Sequence, residues 1–310
     1  MKKILYFFAT ALVALSMQSC SEDETIFPDY EKDWFVLQDS SDPAEHAAYT
    51  FYQKYGFPVF LNDTIGTQQR IDQFGQEYTY SKVLSLNSAL GGGASANGDG
   101  FYGQLVYADK AIAPEAINYL KDKLMPLIPS FLHIHSILLV EGIQYQQDAL
   151  RIGMNTLLIA NASQLSSYSE AQTKSLASSI TSAYLSKSIV GNVENNEQLE
   201  RFYNVSREIY ANADVYNYST WYFSSNYMPG CPFDTYDYSI TTEQKMHWAG
   251  FINAQPPYFN MSPTTQQDVS MFIEAYLNYT ESEFREKYAE SPRIIKKYEI
   301  IKPMLDKILK

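Results

Sequence analysis

Residues 169–190 read SEAQTKSLASSITSAYLSKSIV, a run whose spacing predicts one long helix. Ser169 followed three residues on by Gln172 is a capping box, in which each side chain satisfies a backbone N–H at the helix start. Leu176, Ile180, Ala183 and Tyr184 recur at helical spacing and make one apolar stripe. Ser178 and Ser182 lie one turn apart on the adjoining face. A run so rich in serine and β-branched residues has little helix propensity of its own. Such a helix exists because the surrounding fold requires one, and its serine face needs a reason.

The chain before it opens on a targeting segment. Lys2 and Lys3 give a positive start, and Ile4–Leu15 is an apolar run too short to span a bilayer as a stable helix. Residues 16–20, SMQSC, end it as a loose lipobox. Cys20 is then expected to be lipidated, carrying palmitate-type chains, and to become the mature N-terminus. The alternative is an ordinary signal peptide with an incidental cysteine. The acidic run Ser21-Glu22-Asp23-Glu24 looks like the surface-export signal of Bacteroidetes-type lipoproteins, or else is only a solvated part of the tether 20–41. The expected location is the outer membrane, lipid-anchored and surface-exposed.

Cysteine usage agrees. Cys20 and Cys231 are the only two, so no disulfide framework and no cysteine-based zinc site are available. Cys231, inside Pro229-Gly230-Cys231-Pro232, reads as a packed free thiol. A net charge of −12 excludes nucleic acid as a partner. The roughly 290 residues after the signal suffice for one large or two small domains.

The pattern is α+β. Asp42-Pro43 starts a helix with Ala47, Ala48, Phe51, Tyr52 and Tyr55 inward, and Gly56 stops it. Strands are expected at 57–61, 77–86, 101–107, 131–140 and 155–160, with a helix at 114–125. Residues 42–165 thus form a mixed sheet with helices, and 166–310 a mainly helical part. In the latter, helices start at Ser262-Pro263, at the Thr280–Glu283 capping box and at Ser291-Pro292.

Chemistry-bearing motifs are sparse. The histidines are His46, His133, His135 and His247. His133 and His135 would share one face of a strand, able to ligate a metal but with no third ligand to name. Neither HExxH nor GxSxG occurs, and the glycine-rich loop around Gly91–Gly93 lacks the lysine and hydroxyl of a phosphate loop. Between Tyr203 and Tyr238 aromatic residues crowd one loop-rich stretch, with Tyr218, Trp221, Tyr222 and Tyr227 at its centre. It is either a platform for sugars or peptides or a segment packed down by its own rings.

Several short pieces carry a family resemblance: FYQKYGFPV at 51–59, FYNVS at 202–206, GFIN at 250–253, and Ser262-Pro263 leading to Gln267-Asp268. With the lipobox, they resemble Bacteroidetes zinc-binding-metallopeptidase-like lipoproteins, whose genes lie beside starch-utilisation-type uptake systems. The resemblance implies a zincin-like fold in which a helix bearing HExxH holds zinc. Here Ser178, Ser179 and Ser182 stand where the two histidines and the glutamate belong. Gln267 and Met271 stand where acidic residues belong, and only Asp268 remains. The implied protein is a catalytically silent binding or accessory module, without cofactor, for glycan or peptide uptake beside a TonB-dependent transporter. Trp221, Tyr222, Tyr218, Tyr227 and Asp268 would hold the ligand. The alternatives are an active metal-dependent hydrolase with a non-standard site and a structural subunit of a surface complex. The resemblance also fixes a geometry: Ser178 and Ser182 should face Gln267 and Met271 across a central cleft.

Overall fold

A computed structural model of the chain describes residues 32–86, 104–144, 150–234, 236–255 and 260–309. The signal segment, Cys20, the acidic run after it and Gly91–Gly93 lie outside these residues. Among the described residues two compact units emerge: residues 32–34 with Thr64–Val83, and Phe35–Asp63 with the described residues from Leu84 onward.

Helix α1 (Pro43–Tyr55) begins where expected, because the Asp42 carboxylate accepts the N–H groups of Ala44 and Glu45. It ends on Gly56, whose φ of +79° is the left-handed conformation that glycine adopts without steric penalty. Strand β1 (Val59–Phe60) follows. The smaller unit is a hairpin of β2 (Thr64–Ile71) and β3 (Glu77–Val83). The Asp72 side chain accepts from Phe74 and Gln76 N–H to shape its turn. Within this unit the Trp34 ring lies 2.0 Å from where a Cβ on Gly66 would sit, so only glycine fits there.

The sheet of the larger unit is built on β5 (Ile137–Ile143). β1 pairs parallel with its first residues, and β4 (Leu105–Tyr107) pairs antiparallel with its far end. On the other side it takes β7 (Leu157–Ile159) in parallel, followed by antiparallel β6 (Leu150–Ile152). Ile137 to Val140 are buried on both faces, as a central strand requires. The expected strand 131–140 therefore begins only at Ile137. His133 and His135 precede it in extended chain, both exposed, with buried Ile134 and Ser136 alternating between and after them.

Helix α2 (Ala113–Tyr119) runs on through a π turn at Leu120–Leu124 and a 3-10 turn at Met125–Leu127. After short α3 (Ala162–Leu165) comes α4 (Glu170–Gly191). The rest is helical: α5 (Asn196–Arg207), a 3-10 turn at Thr220–Tyr222, α6 (Thr242–Ala249), α7 (Thr265–Asn278), α8 (Glu281–Lys287) and α9 (Pro292–Leu309). Among the described residues no helix is long and apolar enough to cross a membrane.

Two hydrophobic cores fill the larger unit. One spans Ala44 to Ile180 and is centred on the sheet. The other spans Leu185 to Leu305 and is centred on α7 and α9. The border thus falls inside α4 rather than between residues 165 and 166. Ala177 and Ile180 belong to the first core, Leu185 and Ile189 to the second.

Candidate functional site

Helix α4 starts with the expected capping box: Ser169 Oγ accepts from Gln172 N–H, and Gln172 Oε1 accepts from Ser169 N–H. Its buried stripe is displaced from the expected one. Thr173, Ala177, Ile180, Thr181, Leu185 and Ile189 are buried, whereas Leu176, Ala183 and Tyr184 are only partly covered. Thr173 accepts from the Tyr119 hydroxyl and Ala177 packs in the sheet-side core, while Ser178, Ser179 and Ser182 meet a second helix, α7. Ser178 Oγ donates to Asn278 Oδ1 at 2.9 Å, Ser179 Oγ to Glu274 Oε1 at 3.0 Å, and Ser270 Oγ to Ser182 Oγ at 3.3 Å. The rising and falling numbers show that the two helices run antiparallel.

The helices expected to meet do meet, but in direct contact and with other partners. Gln267 caps α7, its Oε1 accepting the N–H of Thr264 at 2.9 Å. That capping box also moves the helix start from Ser262 to Thr264. Met271 is half-buried one turn later. The hydrogen bonds across this contact are made by Ser270, Glu274 and Asn278, to Ser182, Ser179 and Ser178 respectively, and not by Gln267 or Met271. The residues do not fit zinc. Ser178, Ser179 and Ser182 are neutral hydroxyls already engaged with protein partners, and such groups are poor zinc ligands. Among the described residues no three His, Cys, Asp or Glu side chains cluster as metal ligands.

Glu274 is the one carboxylate in this seam. Burial pushes its carboxyl pKa up, and the Ser179 hydroxyl pulls it back in part. A raised carboxyl pKa means that the fold binds the proton more tightly than the unfolded chain. Its destabilising effect is absent below the ordinary glutamate range and grows as pH rises through the folded value. Glu274→Gln, which keeps an acceptor for Ser179, is expected to raise the thermal midpoint at neutral pH. The difference should shrink toward zero as pH falls, measured by thermal denaturation across a pH series.

Asp268 is corrected as a ligand-binding candidate. It is fully buried and salt-bridged to Lys297, itself fully buried. Lys297 Nζ also donates to Ser206 Oγ at 2.9 Å, Gly250 O at 3.1 Å and Tyr216 Oη at 3.2 Å. The rings of Phe202 and Phe251 lie 4.6 Å from the ammonium. Tyr216 donates to the same Asp268 oxygen that holds Lys297, while Asp268 Oδ1 has no partner. Burial pushes the Asp268 carboxyl up and the Lys297 amine down, and each partner's charge pulls the other back. The Ser206–Lys297 spacing is that of a serine nucleophile with a lysine base. Yet both side chains are sealed from solvent, and Lys297 is committed to Asp268, so no substrate can reach the pair. The cluster ties α5, α7, α9 and the turn at Gly250 together.

The aromatic candidates stand differently. Trp221, Tyr222 and Tyr227 are 46%, 39% and 43% exposed, and Tyr218 is half-buried. Tyr218 and Tyr222 lie 5.2 Å apart, centroid to centroid, and Tyr222 and Tyr227 5.1 Å apart in an edge-to-face arrangement. Three of the four rings therefore form one cluster. Its base is fixed by residues 260–263. Ser262, fully buried, accepts from Tyr218 N–H and donates to Val215 O, while Ser262 N–H donates to Tyr218 O. Thr220 N–H donates to Asn260 O. Cys231, close by in sequence, is a buried free thiol whose pKa burial raises.

A groove of about 760 Å³ runs between the C-terminal halves of α4 and α9. Ser188, His133 and Glu194 border it, but among the described residues no hydrogen bond joins them into a nucleophile–base pair. Compared with protein-family models, curated proteins and solved structures, the chain matches none.

Proposed function

We propose that the chain is a lipid-anchored, surface-exposed accessory module of an outer-membrane nutrient uptake system. It holds a glycan or a peptide on the rings around Trp221 and Tyr222 and hydrolyses nothing on the face of α4. The carrying observation is the partly exposed cluster of Tyr218, Tyr222 and Tyr227, built on a hydrogen-bonded base. Rings left open to water on a fixed base are what a binding surface requires. The lipobox at Cys20 and the acidic run after it support the anchor, and the family resemblance supports a TonB-dependent transporter as neighbour. A zincin-like arrangement, with α4 as the former metal-bearing helix, is supported by its direct contact with α7.

The test is a panel of soluble glycans and peptides titrated against the wild-type protein and Trp221→Ala/Tyr222→Ala. Both side chains are substantially exposed, so the variant should keep its thermal midpoint while losing about tenfold or more in affinity. A ligand bound equally by both proteins overturns the proposal.

A further inference from the structure

Elsewhere in this chain, aromatic rings receive cations from the chain itself. Arg70 lies 3.6 Å over Tyr80, Lys287 4.7 Å from Tyr279, and Arg293 5.3 Å from Trp248. Among the described residues no lysine or arginine lies over Tyr218, Trp221, Tyr222 or Tyr227. The surrounding sequence supplies none either: between Arg207 and Lys245 no lysine, arginine or histidine occurs. The same stretch carries Glu208, Asp214, Asp234, Asp237 and Glu243.

Asp214 is spoken for by Arg207 at 3.2 Å. Asp234 and Asp237 are exposed and bonded only within their own turns, to Tyr236 N–H and to Ser239. Neither is in a salt bridge among the described residues. A 2.7 Å bond from Ser225 N–H to Phe233 O brings the start of this acidic segment beside the ring cluster. The rings are also inclined to one another, at 42° and 87°, so they offer no flat shelf for a sugar chain.

We propose that the occupant of this surface is a basic peptide, whose arginine or lysine side chains lie over Trp221, Tyr222 and Tyr227 and are met by Asp234 and Asp237. This rests on the ring cluster being a binding surface and chooses between its two ligand classes. Cations are attracted to aromatic faces, most strongly where arginine stacks on tryptophan or tyrosine. The carboxylates add charge complementarity, which raises the association rate and is weakened by salt. Ser239 holds the Asp237 carboxyl below the usual range, so this charge persists into mildly acid conditions.

The experiment is a calorimetric titration of the purified protein with hexa-arginine, with hexa-glutamate and with an uncharged gluco-oligosaccharide of similar length. Hexa-arginine is expected to bind, hexa-glutamate not at all, and affinity to fall as salt rises. Tyr222→Ala/Tyr227→Ala, which leaves net charge unchanged, should lose about tenfold. Asp234→Asn/Asp237→Asn should lose a similar factor and flatten the salt dependence. Hexa-arginine binding untouched by the tyrosine variant would mean general attraction to an acidic chain and overturns the proposal. Oligosaccharide binding that depends on the tyrosines also overturns it, while leaving the ring cluster a binding surface. Binding of no probe overturns both.

Discussion

Lys297→Met is expected to destabilise the protein by about 3–5 kcal/mol, the cost of leaving a buried charge without its partner. Asp268 would lose its only cation, and its second oxygen already lacks a hydrogen bond. Ser206 and Gly250 O would lose their donor as well. The fold can lower this cost only by protonating Asp268 or by admitting water between α7 and α9. Lys297→Met/Asp268→Asn should recover much of the loss, because the asparagine carries no charge and still accepts from Tyr216. Urea denaturation of the single and double variants measures both. A single variant as stable as wild type would mean that the pair contributes nothing.

Leu185→Ala and Ile180→Ala are each expected to cost about 2–5 kcal/mol, as buried aliphatic truncations do. Their interest lies in where they act. Ile180 is in the core around the sheet and Leu185 in the core around α7 and α9, five positions apart on one helix. Because α4 passes through both, loosening either core should lower the transition of the whole larger unit. Far-UV circular dichroism reports all helices, whereas Trp221 and Trp248 fluorescence, read in a Trp34→Phe background that removes the third tryptophan, reports the second core region. For Ile180→Ala the two signals should shift together. A shift confined to one signal would mean that the cores melt independently.

The contrast between what the sequence showed and what it hid has a physical origin. Helix ends were legible because caps are local: Asp42, Gly56, Ser169 and Thr280 each act on backbone groups within a few residues. The inner face of α4 was harder to place. Hydropathy singles out Leu176 and Tyr184, but the fold buries Thr173, Ala177 and Thr181, small residues with little hydropathy signal, Thr173 through its bond with Tyr119. Strand β2 was missed because TIGTQQRI is mostly polar and belongs to a two-stranded hairpin without a strong apolar face. The Asp268–Lys297 pair was missed although one signal existed. Lys297 stands three residues after Ile294 and four before Ile301, on the buried stripe of α9, where a lysine calls for a buried partner. The aromatic stretch was legible as a place, since its composition is unusual. Which rings open to water depends on the contact of residues 217–220 with 260–263, which no local pattern encodes.

On this account the serine face of α4 is a packing surface, and recognition belongs to the rings at 218–227. One comparison decides between the two locations: ligand titrations of Trp221→Ala/Tyr222→Ala and of Ser178→Ala/Ser179→Ala against wild type, each checked for an unchanged fold by circular dichroism. The expected result is loss of binding in the aromatic variant and wild-type affinity in the serine variant. Wild-type affinity in the aromatic variant, with binding lost in the serine variant, would contradict the account and return function to the face of α4.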